Sequence, residues 1–188
     1  KWAKGNIISG LSSGEGLIHH VRDARSEQKP IREKGEVVGY EEVQADPGIE
    51  DKRLFVVESE FSRVLKVCDR ESNTLSDVLR LAWDGNQLRT LTKQAADIAT
   101  GAHISLVGHI TQDELRKLLT TAQSANGFGN RFLWVCVRRS KLLPEGGRFH
   151  EVDLAVLARQ LLAAVEFAES AGELERDLEA AAVWKQIY

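Results

Sequence analysis

Two glutamates, Glu58 and Glu60, directly follow the apolar run Leu54-Phe55-Val56-Val57. A carboxylate at the end of a buried strand can help hold a magnesium ion, and a second can orient the water that attacks a phosphate. The structural alternative is a pair of solvated surface charges, the commoner fate of glutamate. His109 ends a second apolar run, His103 to His109, and Thr111 follows it. A polar group at that strand end can contact a γ-phosphate or the attacking water, and an imidazole that titrates near neutrality suits this role or a purely structural one. Thr111 has a competing task, because Thr111-Gln112-Asp113-Glu114 reads as a capping box. Arg131 follows the turn Gly127 to Asn130. Its guanidinium can project into a neighbouring subunit's nucleotide and stabilise transition-state charge, or close an ion pair within its own chain. Arg138, Arg139 and Lys141 allow a phosphate or nucleic-acid contact, against the default of a solvated basic cluster.

Other chemistries lack their residues. Ser12-Ser13-Gly14-Glu15-Gly16 resembles a phosphate cradle ahead of a helix, but Glu15 puts a negative charge where a phosphate loop needs lysine. Neither His-Glu-x-x-His nor Cys-x-x-Cys occurs, and the adjacent His19 and His20 point to different sides of a helix, so zinc chemistry has no support. A magnesium-dependent nuclease using Glu58 and Glu60 remains as a third reading, without a third carboxylate at a recognisable spacing.

The elements that must position these groups alternate. Asn6 to Ser9, Leu54 to Val57, His103 to His109 and Phe132 to Val137 read as strands. Helical spacing follows three of them: Leu17, Ile18 and Val21 behind the polar cap Ser12-Ser13-Gly14-Glu15; Phe61, Val64, Leu65 and Cys68; and Leu115 to Ala122. Val78, Leu79 and Leu81 suggest a further helix after Thr74, and Gln87 to Lys93 a hairpin arm with the stretch before Gly101. Asp23 to Arg53, with two of the three prolines and no sustained period, reads as a long exposed loop. Val152 to Ala168 is a strong helix, and an acidic helix ends near Trp184. The pattern predicts an α/β fold: a mostly parallel central sheet flanked by helices over residues 1–150, with a C-terminal helical extension over 151–188. Ligands of such sheets bind at the carboxyl ends of the strands, the rim that carries Glu58, Glu60, His109 and Arg131.

The 188 residues, 43% hydrophobic and 28% charged, suffice for one globular core. No apolar run reaches the roughly 20 residues of a membrane helix. Cys68 and Cys136 have neither pairing nor metal-ligand spacing, which suggests a reducing, cytoplasmic setting. The net charge of −3 excludes a general electrostatic footprint for nucleic acid. A local one remains, since Arg131, Arg138, Arg139, Lys141 and Arg148 face only Glu145 between residues 131 and 148. Starting at Lys1 and lacking methionine, the sequence reads as a piece whose upstream part would complete any site needing more residues.

Several segments together resemble a known family: Gly10-Leu11-Ser12-Ser13-Gly14-Glu15-Gly16-Leu17-Ile18, Leu54 to Phe61, Trp83-Asp84-Gly85, Thr100-Gly101-Ala102-His103-Ile104-Ser105, Gly108-His109-Ile110-Thr111 and Asn126 to Leu133. They are similar to bacterial and phage proteins with a RecA-like, helicase-type P-loop ATPase core, often carried on mobile elements and sometimes joined to a primase-polymerase. The resemblance spans most of residues 6 to 147. It implies ATP and Mg2+ as cofactors, single-stranded DNA as partner, a homo-oligomer, and a phosphate loop upstream of this chain. It assigns Glu58 and Glu60 to the acidic strand end, His109 to the polar position and Arg131 to a finger toward a neighbour; the residues' own placement makes Glu58 the candidate metal ligand, Glu58 and Thr111 the candidate cofactor contacts, and Arg138, Arg139 and Lys141 the candidate nucleic-acid contacts. A catalytically silent assembly module on the same fold is the alternative from another functional class.

Overall fold

An all-apolar run such as Leu54 to Val57 has no polar residue to turn toward water, so it fits only between two covering layers. The computed structural model describes residues 2–90, 97–119 and 126–187 and divides into two compact units, Lys1–Val135 and Cys136–Tyr188. In chain order the first unit contains α1 (Ala3–Asn6), β1 (Ile7–Ile8), α2 (Gly14–His19), β2 (Arg25–Glu33), β3 (Glu36–Asp46), β4 (Arg53–Glu58), α3 (Phe61–Cys68), α4 (Leu75–Trp83), β5 (Leu88–Arg89), β6 (Ile98–Ala99), β7 (His103–Gly108) and α5 (Gln112–Leu118). The run 54–57 lies in the middle strand of a parallel sheet ordered β1-β4-β7. Ile7 sits opposite Phe55, and Arg53 to Glu58 pair in register with His103 to Gly108. The expected α/β fold, a parallel sheet with flanking helices, is therefore present.

The helices bury the faces their spacing predicts. Leu17, Ile18 and Val21, then Phe61, Val64 and Leu65, then Leu75 and Val78 join Leu54 and Val56 in one core. Each such side chain is worth about 1.5–3 kcal/mol on leaving water. Ser13 caps α2 by accepting from the Gly16 amide at 3.0 Å, as its position before the helix predicts. Gly14 is required where α2 meets α4, since a Cβ there would stand 2.6 Å from a Val78 methyl. The expected hairpin arm after Gly85 is present as the pairs Leu88–Ala99 and Arg89–Ile98, while residues 91–96 lie outside the described ones. The helix expected over Leu115 to Ala122 is α5, beginning at Gln112, and residues 120–125 also lie outside the description.

Two expectations are corrected. Residues 23–53 are not a loop: β2 and β3 form an antiparallel hairpin closed by Lys34 and Gly35, both at positive φ (48° and 90°). Two consecutive positive φ angles make the two-residue turn whose twist matches paired strands. Both strands are solvent-exposed along almost their whole length, so no apolar alternation marked them, and Pro30 is tolerated because each strand of a lone pair is an edge. Nor does Phe132 to Val137 join the sheet as a strand. Phe132 and Trp134 instead stack on Phe61, with centroids at 5.3 and 6.4 Å, and the Trp134 indole donates to the Gly129 carbonyl. Leu133 is left 91% exposed.

The second unit takes in residues 136–150 with the helical tail. Its helices are α6 (Leu154–Ser170), capped by the Asp153 carboxylate on the Ala155 amide, and α7 (Leu178–Ile187). Neither helix buries a residue: Leu157, Leu161, Leu162 and Val165 on α6 all face solvent. No helix among the described residues is long and apolar enough to cross a membrane.

Candidate functional site

β4 delivers Glu58 to the carboxyl end of the middle strand, where β1 on one side and β7 on the other define the rim. Glu58 is only 4% exposed, and a buried carboxylate must be matched by donors. It is matched by three. The chain leaves β1 through Gly10, at φ 93°, and the consecutive amides of Gly10 and Leu11 both donate to Glu58 Oε1 at 2.7 Å. Arg63, in the first turn of α3, donates through Nη2 to Oε2 at 2.8 Å and through Nη1 to the Leu11 carbonyl at 3.2 Å. Glu58 thus ties together the turn after β1, the end of β4 and the start of α3.

An ionised carboxylate offers about four acceptor positions. Two amides and one guanidinium occupy three of those on Glu58, leaving one on Oε2. That arrangement suits a single hydrogen bond from a water and not a magnesium ion, which would face the Arg63 guanidinium across the same carboxylate. Glu60 differs. It is exposed at the N-cap of α3, its side chain makes no capping bond, and no hydrogen bond to its carboxylate occurs among the described residues. Of the two acids, Glu60 is the one open to a cation.

The backbone brings His109 beside this pair. Its amide donates to the Glu58 carbonyl at 2.9 Å and its carbonyl accepts from the Phe61 amide at 2.8 Å, while the imidazole is solvent-exposed. Gly108 permits the approach, because a Cβ there would stand 2.7–2.9 Å from Phe61 side-chain atoms. The Thr111 hydroxyl is committed to its helix, accepting from the Glu114 amide at 3.3 Å and donating to the Glu114 carboxylate at 2.9 Å. The Thr111 bond is the main reason the Glu114 carboxyl lies below its ordinary range. Arg131 occupies the intramolecular alternative: it donates to Gly127 O at 2.9 Å and to both Asp84 oxygens at 3.0 and 3.2 Å. The guanidinium therefore stands with the end of α4, and the Glu58 donors do not include it. Arg138, Arg139 and Lys141 belong to the second unit and are exposed.

A second polar knot braces the other end of the sheet. Lys52 Nζ donates to the carbonyls of Val21 and Arg22 and to Asp23 Oδ1, all within 2.9 Å. Burial works against the Asp23 anion, but the bonds from Lys52 and Thr100 outweigh it and hold its carboxyl below the usual range. Among the described residues, no three His, Cys, Asp or Glu side chains are placed to hold a metal ion together.

Arg63 and the Gly10-Leu11 amides were the members of the rim not singled out from sequence. One signal was available: a cation in the first turn of a helix opposes the helix dipole, so Arg63 needed a nearby anion. No family model matches the chain, and neither a curated protein nor a solved structure matches it.

Proposed function

We propose that this chain is the acid-bearing part of a RecA-like P-loop nucleoside triphosphatase core, which in a complete homo-oligomer couples hydrolysis of magnesium–ATP to remodelling of single-stranded DNA. The observation that carries the reading is the buried Glu58 at the carboxyl end of the central parallel strand, with one acceptor position left on Oε2. In this role Glu58 orients the attacking water, and Glu60, exposed two residues on, faces the cation that accompanies the nucleotide. His109 supplies a polar contact from the adjacent strand. Arg131 acts as a finger only after exchanging Asp84 for a neighbour's phosphate. Arg138, Arg139 and Lys141 supply phosphate contacts to DNA.

A second reading is favoured by the uncovered apolar residues of α6, Leu157, Leu161, Leu162 and Val165: an assembly module whose helices bind protein and whose rim is silent. ATP turnover separates the two. It is measured on residues 1–188 and on a longer polypeptide carrying a Gly-Lys-Ser/Thr loop ahead of them, with and without single-stranded DNA. Hydrolysis by the longer polypeptide, increased by DNA, is the expected result. Absence of both binding and hydrolysis of ATP in the longer form would leave only the assembly module.

A further inference from the structure

We infer that Arg63 is a positioning residue for Glu58, fixing the direction in which the carboxylate oxygen left by the Gly10 and Leu11 amides accepts a proton-bearing ligand; this rests on the triphosphatase reading of the rim. Rotation about the last side-chain bond of Glu58 would change the direction in which its remaining lone pair points. The Gly10 and Leu11 amides saturate Oε1, and they are backbone groups held by a strand-ending turn, so they fix one end. The other end is fixed by a single side chain. Arg63 reaches Oε2 with one nitrogen and the Leu11 carbonyl with another, a two-point contact that suits the planar guanidinium fork. The Arg63 side chain is 44% exposed and that of Glu58 only 5%, so the arginine is the solvent-facing member of the pair. Its place in the first turn of α3 opposes the helix dipole, so the pairing is maintained against a local electrostatic penalty.

Removing Arg63 leaves Glu58 its two amides and its place on β4 but frees Oε2 to accept water in more than one direction. Chemistry that needs one oriented water then slows, while nucleotide binding, which in the triphosphatase reading rests on a phosphate loop upstream of this chain, stays. Two measurements test this. In the 188-residue chain, Arg63→Ala lowers the melting temperature by at least about 3 °C with Glu58 present and by less than about 1 °C in the Glu58→Gln background. Equal shifts in both backgrounds would overturn the pairing. In the ATP-hydrolysing polypeptide, Arg63→Ala lowers kcat at least about tenfold with KM within about twofold, and Arg63→Lys recovers part of the loss. An active wild type whose kcat ignores Arg63→Ala, or whose KM alone rises, overturns this assignment and leaves the triphosphatase reading standing. A wild type without turnover, but with the melting coupling intact, removes that reading and reduces the pair to a structural tie, which also overturns the positioning role.

Discussion

Glu58 and Arg131 make opposite predictions about stability and activity, because Glu58 is buried and Arg131 is only half-buried. Glu58→Gln replaces one oxygen by an NH2 group that cannot accept from the Gly10 and Leu11 amides or from Arg63. Leaving a buried donor unmatched costs about 1–3 kcal/mol, so the variant melts several degrees lower by calorimetry as well as losing turnover. Arg131→Ala gives up an ion pair with Asp84 in which both side chains are partly exposed, a contact worth about 1 kcal/mol or less. If Arg131 serves a neighbour's nucleotide, its loss lowers ATP turnover at least about 100-fold while barely moving the melting temperature. Wild-type turnover in Arg131→Ala would confine it to the Asp84 pair. Glu60 has no partner to lose among the described residues, so Glu60→Gln leaves the melting temperature unchanged and raises the magnesium concentration needed for half-maximal turnover. An unchanged requirement would remove Glu60 from the cation's surroundings.

At the scale of elements, β7 approaches α3 at Gly108 with no room for a side chain. Gly108→Ala drives a methyl into the Phe61 side chain, at 2.7–2.9 Å before any relaxation, and the predicted loss is about 1–3 kcal/mol in denaturant unfolding. The knot of Lys52, Asp23 and Thr100 predicts an acid limb. The Asp23 carboxyl is held below its unfolded value of 3.8, so its contribution is complete above that pH and is lost as pH falls through the lower folded value. Melting curves across this window should show a shallower acid limb for Asp23→Asn, and an unchanged slope would exclude this knot as its source. Elements that bury a face were legible in the sequence: Leu54 to Val57, Leu17-Ile18-Val21 and Phe61-Val64-Leu65 each carry the period of their structure. The hairpin was not, because β2 and β3 bury almost nothing and their turn uses Lys34 where asparagine or aspartate usually announces it. Phe132 to Val137 misled for the converse reason: its composition suits a strand, but its aromatic rings find Phe61 and no strand among the described residues pairs with it. The rim itself was half legible. Acids at a strand end can be read from sequence, whereas amides that turn toward them through Gly10 cannot.

For the whole molecule, the two units answer separate questions. The first carries the sheet, the acids and the exposed His109. The second exposes the apolar residues of α6, and if these mediate association, Leu161→Glu lowers the mass seen by light scattering without altering the melting of the first unit. An unchanged mass would place any self-association elsewhere. The central claim is that Glu58 is a reacting acid as well as a structural tie, and the two roles separate in one comparison: pre-steady-state ATP hydrolysis against nucleotide binding, in wild type and in Glu58→Gln, within a polypeptide that includes a phosphate loop. The account predicts binding retained and the hydrolytic step slowed at least about 100-fold. Hydrolysis at the wild-type rate by a folded Glu58→Gln protein would contradict it.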